Sequence, residues 1–329
     1  MARTLRIEGQ EQAALTQACT ELARGLAVAI PTETVYGLAA DATNPHAIAR
    51  IYETKGRPRF NPLICHMSGL AMAERYAEFD PLSRKLAEAF WPGPLTLILP
   101  LRPASGIHPL ATAGLDTVGI RVPEGFAGRL IEAYGKPLAA PSANTSGRIS
   151  PTAAAHVEAD LGDRLTLILD GGPAAVGVES TIVKAEGDGT LRLLRPGGLA
   201  ASEIEKVAGV ALARNGGAAA AIEAPGMLAS HYAPRAAMRL NAARIAPGEA
   251  LLRFGSAPVE GEDKAAAVFE LSPSGDLREA AARLFGLMKQ ADASGAATIA
   301  VTPIPPAGLG EAINDRLARA AAPRTEETP

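Results

Sequence analysis

Short runs of apolar, β-prone residues recur through the first two hundred positions: LAVAI (26–30), LICHM (63–67), LTLIL (95–99), TVGIRV (117–122), LAA (138–140), LTLIL (165–169), STIV (180–183) and LRLL (191–194). Runs of this length, bounded by Gly, Pro or polar clusters, predict buried strands. Apolar residues spaced three and four apart predict helices over 10–24, 44–54, 81–90, 126–134 and 151–161, with Asn44 as an N-cap and Pro45 in the first turn. Strands follow one another without an intervening helix at 95–122 and 165–194, so the sheet is expected to be mixed rather than purely parallel.

A helical stretch over 201–208 is followed by an Ala/Gly run and then by PGMLASHYAP, which read as a linker over 209–234. Beyond it ALLRF (250–254), AVFEL (267–271) and ATIAV (297–301) predict three strands, with amphipathic helices over 275–292 and 308–321. The expected organisation is an α/β domain over 1–208, a linker, and a small α/β domain over 235–329. The closing PRTEETP has no apolar period and is expected to be frayed.

Composition narrows the partners. With 32 basic against 35 acidic residues the net charge is −3, so no global field holds a polyanion, and aromatics at 4% weaken any base-stacking platform. Small ligands are the better expectation. Cys19 and Cys65 are the two cysteines, at a spacing that suggests neither a disulfide framework nor a zinc cluster, which fits a reducing cytoplasm. No apolar run approaches the roughly 20 residues of a membrane span, and the opening MARTLRIEGQEQAALTQ lacks the apolar centre of a signal peptide. The common phosphate-loop, dinucleotide, zincin and nucleophile-elbow patterns do not occur in the sequence.

Polar clusters stand instead at strand ends, where open α/β sheets place ligands. PTETVYGL (31–38) leaves the strand LAVAI, carrying Thr32, Glu33, Thr34 and Tyr36; an ordinary strand exit is the bland account. KGRPRFNPL (55–63) puts Lys55, Arg57 and Arg59 at a helix end, where cations also simply complement the macrodipole, but Pro58 and Pro62 stiffen the loop in a way that suits polyphosphate. APSANTSGRISPT (140–152) is either a turn or an anion nest using Ser142, Asn144 and Ser150. DGGPAAVGVESTIV (170–183) brings Glu179, Ser180 and Thr181 to a strand start after a bulge-like turn, LLRPG (193–197) puts Arg195 at a strand end, and WPGPLT (91–96) reads as a structural turn.

Taken in order, PTETVYGL, KGRPRFNPL, WPGPLT, GLDTVGIRVP, APSAN, GVESTIV and LRPG resemble the threonylcarbamoyl-AMP synthase family of YrdC-like proteins over residues 10–208. PGMLASHYAP and AINDRLARAA (312–321) resemble its long form. The resemblance implies a twisted mixed β-sheet domain with flanking helices plus a small C-terminal three-layer Rossmann-like α/β domain. It implies a nucleotidyltransferase reaction: L-threonine, bicarbonate and ATP, with Mg²⁺ on the phosphates, give threonylcarbamoyl-AMP and pyrophosphate. The product would pass to a tRNA threonylcarbamoyl transferase complex for modification beside the anticodon, with any direct tRNA contact weak. Lys55 with Arg57, and Ser142 with Asn144, match the catalytic K-x-R and S-x-N signatures. By the same resemblance Arg59, Thr117, Ser150, Arg195 and Tyr232 join Lys55, Ser142 and Asn144 in holding ATP, while Thr32, His66, Arg121, Ala140 and Ser180 hold threonine.

Those residue types suit the chemistry. A guanidinium such as Arg121 grips a carboxylate bidentately, short hydroxyls such as Thr32 or Ser180 measure a hydroxyl, and clustered cations disfavour a protonated amine. His66 is the candidate general base, with binding the preferred reading. The linker is read either as a passive tether or as a cover, with His231 and Tyr232 the residues to test. An RNA-binding module, a carbamoyl transferase akin to hydrogenase-maturation factors and a purely structural protein are the alternatives; charge, the two cysteines and the ordered polar clusters respectively argue against them.

Overall fold

The computed structural model describes residues 2–214, 223–227 and 229–323. Its larger part is built on strands β1 (Arg3–Arg6), β2 (Val28–Ile30), β3 (Gly37–Asp41), β4 (Ile64–His66), β5 (Leu95–Pro100), β6 (Thr117–Arg121), β7 (Leu138–Ala139), β8 (Leu167–Asp170), β9 (Thr181–Ala185), β10 (Leu191–Arg195) and β11 (Leu212–Arg214). Among the described residues these eleven form one sheet in the order β1-β8-β2-β3-β7-β4-β6-β5-β9-β10-β11. The sheet is mixed, as the sequence pattern requires: β4 runs parallel to β6 and β5 to β9, while β5/β6 and β9/β10 are antiparallel pairs formed by strands consecutive in the chain.

Helices α1 (Glu11–Ala23), α2 (Pro45–Lys55), α3 (Leu70–Ala73), α4 (Pro81–Phe90), α5 (Pro109–Thr112), α6 (Phe126–Tyr134), α7 (Ala154–Leu161) and α8 (Ala201–Ala208) flank it. The predicted cap is present: the Asn44 side chain accepts from the amides of His46 and Ala47, with Pro45 opening α2 where its missing N–H costs nothing. Leu22, Ile48, Ile51, Leu130 and Val157 of the helices bury against Val28, Leu38 and Ile168 of the sheet. Each such side chain contributes about 1.5–3 kcal/mol on leaving water.

The smaller part has a parallel sheet of β12 (Ala237–Arg239), β13 (Ala250–Phe254), β14 (Ala267–Ser272) and β15 (Thr298–Val301), ordered β12-β15-β13-β14. One face carries both α9 (Leu277–Ala293) and α10 (Leu309–Ala321) over Ala250, Leu252, Ile299 and Val301. The opposite face, Leu251 and Ala300, is covered by Ala242, Ile245, Val259 and Ala265, so the third layer is a loop segment with one 3₁₀ turn over Glu262–Lys264.

The two parts share a core. Val35, Ile149 and Val178 of the larger part belong to the same buried cluster as α9 and α10. The approach is close at Gly177, whose φ is +78° and where a Cβ would fall 2.2 Å from the Ala281 carbonyl oxygen on α9, so only glycine fits.

Strands β1, β3, β11 and β12 lie outside the sequence expectation, as do the short helices α3 and α5. Within the expected linker, 212–214 form β11, 223–227 and 229–233 return to the larger part, and 215–222 lie outside the described residues. The tail expected to fray lies outside them too, apart from Pro323.

Candidate active site

The motifs converge on one cavity, lined by the exits of β2, β4, β6, β7 and β10, the entry to β9, the loop after α2 and the segment that returns from the linker. One end is built on Arg121, the last residue of β6. The guanidinium donates through Nη1 to Thr34 Oγ1 at 2.9 Å and through Nε to the Gly93 carbonyl at 3.2 Å. Its Nη2 stands 2.6 Å from Glu33 Oε1, so the pair neutralises charge that burial would otherwise penalise. Thr32 does not line the cavity; its hydroxyl donates to the Val35 carbonyl at 2.7 Å and accepts from the Thr34 and Val35 amides, closing the turn that presents Thr34.

Ser180 and His66 stand beside Arg121 in the lining, with Ala140. Ser180 Oγ is 2.7 Å from Thr96 Oγ1 and accepts from Arg195 at 3.2 Å. Burial, reinforced by the Arg121 charge, holds the His66 imidazole at about 3. A group that weakly basic holds no proton near neutrality, so His66 meets the cavity as a neutral polar wall.

The other end is cationic. Arg57, buried, donates to the carbonyls of Asn61 at 3.2 Å and Pro62 at 2.9 Å, and burial lowers its pKa to about 10. Arg195 donates to the Ser180 carbonyl through Nε at 3.1 Å and Nη2 at 2.9 Å. Lys55 ends α2 and is 1% exposed, its ammonium donating to the carbonyls of Ser142 and Asn144 at 2.5 Å each. Burial, with Arg57 adding to it, lowers the Lys55 pKa well below its usual range. The two signatures are therefore bonded to each other, and Lys55 fixes the loop whose Ser142 lines the cavity.

Several expected residues stand back from the lining. Asn144 donates to the carbonyls of Thr145 and Arg148, leaving its Oδ1 buried without a partner. Ser150 donates to Glu179 Oε1 at 2.5 Å and so acts on the cavity through that carboxylate. Arg59 is exposed on its loop, and Thr117 opens β6 opposite Pro100, at the other end of the strand from Arg121; neither borders the cavity. Strand geometry of about 3.3 Å per residue separates those two ends of β6 by more than a hydrogen bond can reach.

The sequence names Glu179 and Thr34 within their motifs without giving them a place in the lining; the returning segment, read there as a tether or as a cover, borders the cavity. Pro225, Gly226, His231 and Tyr232 border the cavity, with Tyr232 1% exposed. Arg195 donates to the Pro225 carbonyl at 3.4 Å, Ala233 N–H to the Gly147 carbonyl at 2.8 Å, and Glu223 is gripped by Lys184 at 2.5 Å and Arg192 at 2.8 Å. Burial pushes His231 down to about 3. With this segment in place the cavity measures about 50 Å³, room for a few waters and far below what a nucleotide occupies. The signal was present as Gly226 between polar aromatics and Pro, but its destination is a tertiary contact.

Fold and cavity together define a class: a two-part α/β protein whose pocket sets a polar end of hydroxyls and an arginine–glutamate pair against a cationic end. The family model described as Telomere recombination matches residues 20–197, and that described as Threonylcarbamoyl-AMP synthase, C-terminal domain, matches 199–322. A threonylcarbamoyl-AMP synthase from Bacillus subtilis is 40% identical over 94% of this chain and 93% of its own length. One from Pyrococcus abyssi is 40% identical over 90% of each. The crystal structure of P. abyssi Sua5 complexed with L-threonine superposes with a TM-score of 0.86 at 36% identity, covering 98% of this chain and 97% of that one. The chain belongs to the threonylcarbamoyl-AMP synthase family.

Proposed function

We propose that the chain condenses L-threonine, bicarbonate and ATP to threonylcarbamoyl-AMP and pyrophosphate. The observation that carries this is the meeting, in one cavity, of Arg121 with Thr34 and Ser180 at one end and of Arg57, Arg195 and Ser142 at the other. Arg121 offers a fork for the threonine carboxylate, and the hydroxyls of Thr34 and Ser180 measure the substrate hydroxyl. Arg57 and Arg195, which line the cavity, favour a neutral α-amine by like charge.

The amine nitrogen bonds to the carbon supplied by bicarbonate, giving a carbamate and water. A carbamate oxygen then attacks the α-phosphorus of ATP while the bond to pyrophosphate breaks, and the cations stabilise the charge that develops. Mg²⁺ would enter as the ATP complex, held by the phosphates, and add to the charge stabilisation that the cations supply. The returning segment acts as a cover that keeps water from the mixed anhydride. The product passes to a threonylcarbamoyl transferase complex acting on tRNA.

The test is pyrophosphate release with threonine and bicarbonate omitted in turn. Release is expected to require both, and valine, which leaves buried polar groups unpaired at about 1–3 kcal/mol each, to be a poor substitute. Release indifferent to threonine and bicarbonate overturns the reading.

A further inference from the structure

The motif AINDRLARAA is left unassigned by the reaction, and α10 carries it against the cavity wall of the larger part. Arg316, fully buried, donates through Nε to Glu179 Oε2 at 2.7 Å, while its Nη1 pairs with Asp315 at 2.6 Å and its Nη2 is buried without a partner. Its guanidinium carbon lies 5.2 Å from the centroid of the Tyr232 ring. Phe285 of α9 stacks on that same ring at 5.4 Å. Tyr232 holds a φ of +62°, a left-handed conformation that a bulky residue keeps only where its surroundings over-determine it. Those surroundings come from α9 and α10.

Glu179 lines the cavity and is the point where both parts meet: Ser150 of the larger part and Arg316 of the smaller hold its two oxygens. Burial alone would raise its pKa, but Arg316 and Arg195 outweigh it and hold the carboxyl at about 2. A buried arginine against one carboxylate and a ring stabilises a fold no better than apolar side chains of the same volume. Its contacts with Glu179 and Tyr232, which both line the cavity, therefore ask for a role behind the site.

We propose that Arg316 is a positioning residue for the nucleotide end of the pocket, holding Glu179 and the Tyr232 ring in the closed arrangement, so that the smaller part completes the site. The inference rests on the synthase reading and deepens it. The full chain is compared as wild type, Arg316→Gln, Arg316→Lys and Glu179→Gln/Arg316→Gln, reading pyrophosphate release against ATP and against threonine, and calorimetric binding of each substrate alone. Arg316→Gln is expected to raise the KM for ATP, and weaken ATP binding, by about tenfold or more. Threonine parameters stay unchanged, and Arg316→Lys recovers part of the loss. If Arg316→Gln does not fold, the lysine variant and the double variant, which removes both charges of the pair, carry the test. Wild-type ATP parameters in a folded glutamine or double variant, or equal losses toward ATP and threonine, overturn the role. A wild type that turns over beside an unaffected variant removes this inference alone; a wild type that neither turns over nor binds ATP removes the synthase reading with it.

Discussion

Arg121 makes three polar contacts in three directions, to Thr34, Gly93 and Glu33. A lysine there has one compact ammonium in place of a planar fork and keeps at most part of that arrangement. Arg121→Lys is expected to raise the threonine KM by about tenfold while ATP parameters change little, read from pyrophosphate release at varied threonine. The neighbouring His66 makes a prediction about pH. Its folded-state pKa of about 3 lies below the ordinary 6.5, so the unfolded chain takes up a proton that the native state refuses. This contribution to stability is complete above pH 6.5 and is lost as pH falls toward 3. At pH 5 about 2 kcal/mol is gone. Urea unfolding at pH 7 and 5 checks this, and His66→Asn is expected to shrink the difference by about 2 kcal/mol, leaving the part contributed by His231, which is likewise held at about 3.

At the scale of elements, the returning segment closes the cavity only because Gly226 adopts a φ of +87° with the Arg195 side chain against its Cα; a Cβ would lie 2.8 Å from Arg195 Cδ. Gly226→Ala adds about 1–2 kcal/mol of left-handed strain to the closed arrangement. Faster hydrogen exchange over 223–227 and 229–233 is expected, with a shorter lifetime of the enzyme-held adenylate, measured by mass spectrometry and by product hydrolysis. The same scale explains what could be read from sequence. Apolar runs such as LTLIL over 95–99 and TVGIRV over 117–122 became β5 and β6 within about a residue, because side chains buried on both faces leave a continuous apolar signature. GLAAD over 37–41 became β3 without any β-branched residue, through pairing with β2 and β7, which propensity does not record. RTLR over 3–6 is an edge strand that buries only Leu5. In the site, Lys55, Arg57, Ser142 and Arg195 were legible because each stands at or just beyond the end of an element, within a recognisable motif. Glu179 was named in its motif but not assigned, since its importance comes from Ser150 and from Arg316, 137 positions away.

For the whole molecule, the shared core makes the smaller part more than an appendage. Removing 224–329 uncovers Val35, Ile149 and Val178 and strips Glu179 of its buried partner. Breaking such a pair from one side costs about 3–5 kcal/mol. The shortened chain is expected to show a lower Tm and to lose pyrophosphate release; undiminished release with undiminished product lifetime would remove both the cover and the contribution of α10.

The edge pairing of β1 has a temporal meaning. Arg3 faces Leu167 and Leu5 faces Leu169, while β2, from which the first site motif departs, also has β8 as its neighbour. A ribosome delivering 5–20 residues per second leaves β1, and the edge of β2 opposite β3, without their β8 partner for on the order of ten seconds. Through that interval Val28 and Ile30 present an apolar edge to the surrounding solution, the condition under which nascent chains associate with one another. Recovery of native protein is therefore expected to depend on translation speed and chaperone supply more steeply than its finished stability suggests.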